Sequence, residues 1–102
     1  MTEATVLFRA QTLHKIREGS VSLAFRRWRQ PRVREGSRQR TGIGVVEFGA
    51  VTAVSDDAVS DVDARRAGYS SAHALLAEFP PSEGEKLFKI EVRYGGPDPR
   101  VS

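Results

Sequence analysis

Residues 86–94, KLFKIEVRY, set Phe88, Ile90, Val92 and Tyr94 against Lys89, Glu91 and Arg93 with a period of two. That alternation is the signature of a strand with one buried face. A second such run, SVSLAFRRW at residues 20–28, puts Val21, Leu23 and Phe25 on one side and Ser22, Ala24, Arg26 and Trp28 on the other. It too reads as a half-buried strand. The chain has 102 residues, enough for one modest core and not for two. A strand thus returns at the end of the chain to the same domain.

The segments between them punctuate this frame. TVLFR (Thr5–Arg9) is β-branched and aromatic and reads as a strand. AQTLHKIREG follows, with Leu13 and Ile16 at helical spacing and Gly19 as a left-handed C-cap, which predicts a helix of about two turns. Pro31 stops the next strand or confines it to an edge. Glu35-Gly36-Ser37 reads as a turn. The long Val- and Thr-rich stretch Arg38–Val54 carries Gly42, Gly44 and Gly49, which predict bends or bulges at barrel corners. A change of period then marks two short helices. Ser60 with Asp63 caps the first and Gly68 closes it; Ser70 or Ser71 caps the second, which runs through Leu75, Leu76 and Phe79 to Pro80-Pro81. Residues 95–102, GGPDPRVS, read as an irregular tail. The order β-α-β-β-(β)-α-α-β predicts one mixed α/β (α+β) domain over residues 1–102, a small barrel capped by short helices.

Composition narrows the chemistry. With 39% hydrophobic and 28% charged residues, the chain is too apolar for wholesale disorder. It has no cysteine, which removes disulfides, thiolate metal sites and a cysteine nucleophile, and fits a reducing cytoplasm. MTEATVLFRAQ lacks the basic and apolar regions of a signal peptide, and no apolar run is long enough to span a membrane. The net charge of +3 conceals an asymmetry: residues 1–40 carry ten Lys/Arg against three acids, residues 41–102 six against ten. One basic face is expected, of the kind that attracts phosphate backbones or anionic lipid. Arginine outnumbers lysine thirteen to three, and part of that excess follows from base composition, so clustering carries more weight than number.

Seven arginines cluster in FRRWRQPRVREGSRQR, residues 25–40: Arg26, Arg27, Arg29, Arg32, Arg34, Arg38 and Arg40. Arginine's planar fork matches phosphate and stacks on bases. Trp28 offers an unpaired base a stacking face worth roughly 1–3 kcal/mol, or else belongs to the core. Lys15 and Arg17 on the neighbouring helix extend the track. The competing reading is an arginine-decorated edge that discourages aggregation. His14 and His73 lie far apart and form no metal signature, and Asp56, Asp57, Asp61 and Asp63 lack the glycine and terminal Glu of a calcium loop. TGIG (Thr41–Gly44) lacks the lysine and serine of a phosphate loop. No metal or cofactor is expected.

IREGSVSLAFRRW, a helix ending in glycine followed by a strand with small polar residues and an arginine seven positions after the glycine, resembles the ASCH domain, a family of small PUA-like β-barrels. ARRAGY and LFKIEVRY agree with it, and the similarity runs from about Val6 to Tyr94, as in small stand-alone bacterial members. The family pattern Gly-x-Lys-Thr followed by arginine corresponds to Gly19, Ser20, Val21, Ser22 and Arg26. The resemblance implies a pseudobarrel with a cleft beside the first helix, lined by Ser20, Ser22 and Arg26, and binding of RNA or, in some members, DNA. Some members are amidohydrolases acting on modified cytidine through a Lys and a Thr of this strand and a distant Glu, and ribonuclease activity has been proposed for others. Here Val21 stands at the lysine position and Ala24 at the second threonine position. Valine neither ionises nor donates a hydrogen bond, and Glu47 is left as a lone candidate carboxylate. The expectation is therefore a non-catalytic nucleic-acid-binding domain, RNA or single strands ahead of duplex DNA. A nucleoside-directed or RNA hydrolase, and an adaptor for an acidic protein or membrane surface, are the alternatives.

Overall fold

The computed structural model describes residue 6 and residues 8–97. Helix α1 (Ala10–Glu18) ends where the sequence requires it, at Gly19 with φ 87°, whose N–H donates to the Ile16 carbonyl. A side chain in that left-handed conformation would be strained, which makes glycine the residue that stops the helix. The chain then enters β1 (Leu23–Trp28), β2 (Arg38–Thr41) and β3 (Gly44–Val54). A single 3-10 turn (Asp56–Ala58), α2 (Asp61–Arg66), α3 (Ala72–Glu78) and β4 (Lys86–Tyr94) complete it. Ser60 and Ser71 cap α2 and α3 by accepting from the Asp63 and Ala74 N–H groups.

The four strands form a curled, open antiparallel sheet in the order β1-β4-β3-β2, a half-barrel. The last strand inserts between the first and third, with Ala24 opposite Ile90 and Phe48 opposite Val92. The glycine-broken stretch after Ser37 is a hairpin rather than one bent strand. Thr41 Oγ1 accepts from the Ile43 N–H at 3.3 Å and donates to the Gly44 carbonyl at 2.7 Å. Gly44 takes φ 123°, and a Cβ there would lie 2.5 Å from the Gly96 carbonyl. Gly49 does match its expectation, because the β3–β4 register shifts between Phe48 and Val51.

Helices cover both faces of the sheet, so β1 is not the half-buried strand that its alternation indicates. On one face Ile16 of α1 packs with Ala24, Val46, Phe48, Phe88 and Ile90; on the other, Leu23, Phe25 and Leu87 lie under Val59, Ala64 and Leu75. Truncating Phe25, which is 1% exposed, would cost about 3–5 kcal/mol. Val33, from the arginine-rich connection, is buried in the first cluster. That residue ties the β1–β2 loop down, as expected of a folded segment and not of a loose arm.

Two expectations at the chain ends change. Thr5 and Leu7 lie outside the described residues, and Val6, Phe8 and Arg9 are not in a strand. Instead the Gln39 side chain accepts from the Val6 N–H at 2.9 Å and donates to the Val6 carbonyl at 2.8 Å. A side-chain amide thus satisfies the backbone groups that a ladder would otherwise pair. At the other end, the Gly95 N–H donates to the Val45 carbonyl and the Val45 N–H to the Gly96 carbonyl, so the tail begins paired; residues 98–102 lie outside the described residues. Among the described residues no helix is long and apolar enough to cross a membrane.

Candidate functional site

β1 is an edge strand, and α1 and the α2–α3 pair flank that edge without closing over it. A cleft of about 410 Å³ results, with Gln11, Thr12 and Lys15 of α1 on one wall, Tyr69, Glu78 and Phe79 on the other, and β1 as its floor. The Val92 N–H donates to the Ser22 carbonyl. In an antiparallel ladder this phase turns the backbone groups of Ala24 and Arg26 toward β4 and those of Leu23 and Phe25 toward the cleft.

Arg26 is the charged group of the floor. Its Nη1 donates to the Phe25 carbonyl at 2.6 Å, folding the guanidinium back over the strand's own edge. The guanidinium carbon lies 5.4 Å from the Phe8 ring centroid and 6.0 Å from that of Phe79, within the range of cation–π attraction. Burial lowers the Arg26 pKa, with Tyr69 opposing the shift, but a guanidinium stays protonated inside proteins. Tyr69 meets Phe79 edge-on with centroids 6.4 Å apart. Burial raises its pKa and Glu78 adds to that, while Arg26 and Arg9 pull the other way. The phenol is therefore a neutral donor at ordinary pH. The cleft thus combines aromatic faces, a half-buried cation and a hydroxyl, with Arg9 and Lys15 on its rim.

The arginines of residues 25–40 divide by role. Arg27 turns inward: Nε and Nη2 donate to the Phe79 carbonyl at 3.1 and 2.6 Å, and Nη1 and Nη2 meet the two Asp56 oxygens at 3.2 Å. Its side chain is 10% exposed, so the guanidinium is engaged inside the fold and not presented on the surface with the other arginines. Arg38 pairs with Glu47 at 3.3 Å while remaining largely exposed. Arg29, Arg32 and Arg34 are exposed and line a depression on the β1–β2 loop with Pro31 and Glu85. Arg40 is exposed on β2, at the opposite edge of the sheet from the cleft. Trp28 packs against the core cluster, its ring tilted on that of Phe88 with centroids 5.9 Å apart.

The residues expected around the first helix also separate. Lys15 lines the cleft, whereas Arg17 donates to His14 Nδ1 at 3.0 Å and does not. Ser20 lies at the cleft's end, its hydroxyl donating to the Lys15 carbonyl at 3.2 Å. Ser22, expected in the cleft, is elsewhere: its Oγ accepts from Arg66 Nε at 2.9 Å, and it lines a separate depression with Glu47. Ser22 precedes the regular strand, and its N–H is drawn to the Arg66 carbonyl at the end of α2, so strand alternation does not govern it.

Val21 lines the cleft and is 3% exposed. Glu47 is held outside the cleft by Arg93 Nε at 2.7 Å and by Arg38. His73 is exposed. Asp61 accepts from the Ala72 N–H at 2.8 Å and Asp63 pairs with Lys89 at 3.9 Å, so these acids serve helix ends and the sheet. Among the described residues no group of His, Cys, Asp and Glu could hold a metal ion.

The sequence reading missed Phe8, Arg9, Tyr69, Glu78 and Phe79, which supply the aromatic rings and the acid of the cleft's walls. They come from three distant segments and share no periodicity. The available signals were Tyr69 directly after the closing glycine of α2 and Phe79 directly before the double proline. No family model, curated protein or solved structure matches this chain.

Proposed function

We propose that this chain is a PUA-like domain of the ASCH type that binds nucleic acid without catalysis, taking an unpaired nucleotide of RNA or another single strand at the β1 cleft. The observation that carries the reading is Arg26, set between Phe8 and Phe79 on the cleft floor with Arg9 and Lys15 at the rim. Aromatic and guanidinium planes bind the faces of an unstacked base, and the rim cations attract its phosphates. A base inside a duplex presents no face, and a cleft of about 410 Å³ admits a nucleotide but not a helix. Arg29, Arg32 and Arg34 on the β1–β2 loop hold flanking phosphates.

The hydrolase reading has less support. Its lysine position is the buried Val21, and Glu47 is engaged by two arginines in another depression. Fluorescence anisotropy with single-stranded RNA, duplex RNA and duplex DNA across a salt series tests the proposal. The expected result is micromolar binding to single strands with a steep salt slope, weakened by Arg26→Met. No binding to any single strand at low salt overturns it.

A further inference from the structure

We infer that the β1 cleft has a phosphate end, formed by Lys15 and Arg65, and so takes a phosphorylated nucleotide in one orientation; this rests on the nucleic-acid reading above. A second depression of about 440 Å³ meets the cleft at Lys15, Val21, Gly68 and Tyr69 and continues past Ser20, Arg65 and Ser70. The two ends differ in chemistry. Phe8, Arg9, Arg26, Glu78 and Phe79 line only the first, which is aromatic and holds Glu78, the one acid among the described residues that line either depression. The second offers two cations and the Ser70 hydroxyl.

Several details favour an anion there. Neither Lys15 nor Arg65 forms a salt bridge among the described residues. Lys15 belongs to the last turn of α1, where carbonyls carry partial negative charge. The Lys15 carbonyl, however, accepts from the Ser20 and Val21 N–H groups and from the Ser20 hydroxyl, so its partial charge is already met by donors of the chain. Gly68, at φ 93°, keeps the neck open: a Cβ there would already touch Val21 Cγ2 at 3.4 Å. A nucleotide lying with its base at Arg26 and its phosphate between Lys15 and Arg65 matches both ends. The reverse orientation places phosphate beside Glu78.

Titration calorimetry on the full chain compares a nucleoside with its 5′- and 3′-monophosphates. At least one monophosphate is expected to bind about tenfold or more tightly than the nucleoside, as charge-assisted hydrogen bonds to phosphate require. The double variant Lys15→Gln/Arg65→Gln should erase that preference, so that nucleoside and monophosphate bind it alike, whereas Arg26→Met should weaken both ligands. Arg65→Gln alone, at an exposed position, should remove part of the preference without touching the fold. RNAs of one sequence with a 5′-phosphate or a 5′-hydroxyl separate the two sources of the group. Discrimination between them assigns the site to a strand terminus, and equal binding assigns it to an internal phosphodiester. Equal affinity for nucleoside and monophosphates, or a preference that survives the double variant, overturns the inference while single-strand binding by the wild type leaves the nucleic-acid reading standing. Absence of single-strand binding overturns both.

Discussion

Replacing Arg27 with alanine should unfold the protein more readily. Arg27 is the arginine of the basic stretch whose guanidinium is spent inside the molecule, on the Phe79 carbonyl at the end of α3 and on Asp56. A hydrogen bond from a charged donor contributes about 1.5–3 kcal/mol. The Asp56 pair adds less, because that carboxylate is 37% exposed and such pairs contribute about 1 kcal/mol or less. Burial of the arginine stem adds a further small amount. The sum for Arg27→Ala is about 2–4 kcal/mol, which for a domain of this size lowers Tm by roughly 10–25 °C. Asp56→Asn, which spares the Phe79 carbonyl, should cost about 1 kcal/mol or less. Urea unfolding of wild type, Arg27→Ala, Asp56→Asn and Arg29→Ala measures these differences. Arg29→Ala, at an exposed position, should stay within about 0.5 kcal/mol of wild type. An Arg27→Ala protein as stable as wild type, or an Arg29→Ala protein equally destabilised, would refute the division of the arginines into structural and surface roles.

Further outcomes follow from the same geometry. Single alanine substitutions at Arg29, Arg32 and Arg34 should each flatten the log–log salt dependence of single-strand binding by about 0.7, read by anisotropy, while the same change at Arg17 leaves it unaltered. Trp28→Ala should cost about 2 kcal/mol in urea unfolding, because the half-buried ring packs on Phe88. Tyr69 has a folded pKa above the ordinary tyrosine value of about 10. Between those two values the folded state holds more protons than the unfolded one, so stability is flat in Tyr69's contribution below about pH 10 and falls as pH rises beyond it. Tyr69→Phe should remove that part of the alkaline loss, measured by urea midpoints at pH 9–11.

Much of the frame was legible because its signals are local. The period-two runs fixed β1 and β4, Gly19 ended α1, and the serines before α2 and α3 capped them where expected. Each of these depends on residues within a few positions of one another. The clustering of arginine was equally plain, but not its meaning. Arg26 and Arg27 are neighbours of the same type, and alternation says only that they face opposite sides. That one floors a cleft and the other clamps α3 depends on Phe79 and Asp56, far along the chain.

The cleft itself is the clearest case of what lay beyond the sequence. It exists because β4 inserts beside β1 and leaves the other side of β1 as an edge, with α1 against one sheet face and α2–α3 against the other. Strand order is a non-local choice made by packing apolar faces, and no spacing in the chain encodes it. Sequence alone determined that α1, β1, α2, α3 and β4 form, where the helices stop, and that the basic residues cluster in one stretch. Tertiary structure decided which aromatic rings surround Arg26, that Glu47 and Ser22 lie outside the cleft, and which arginines are committed to the fold, because each of those facts is a contact between segments that only folding brings together.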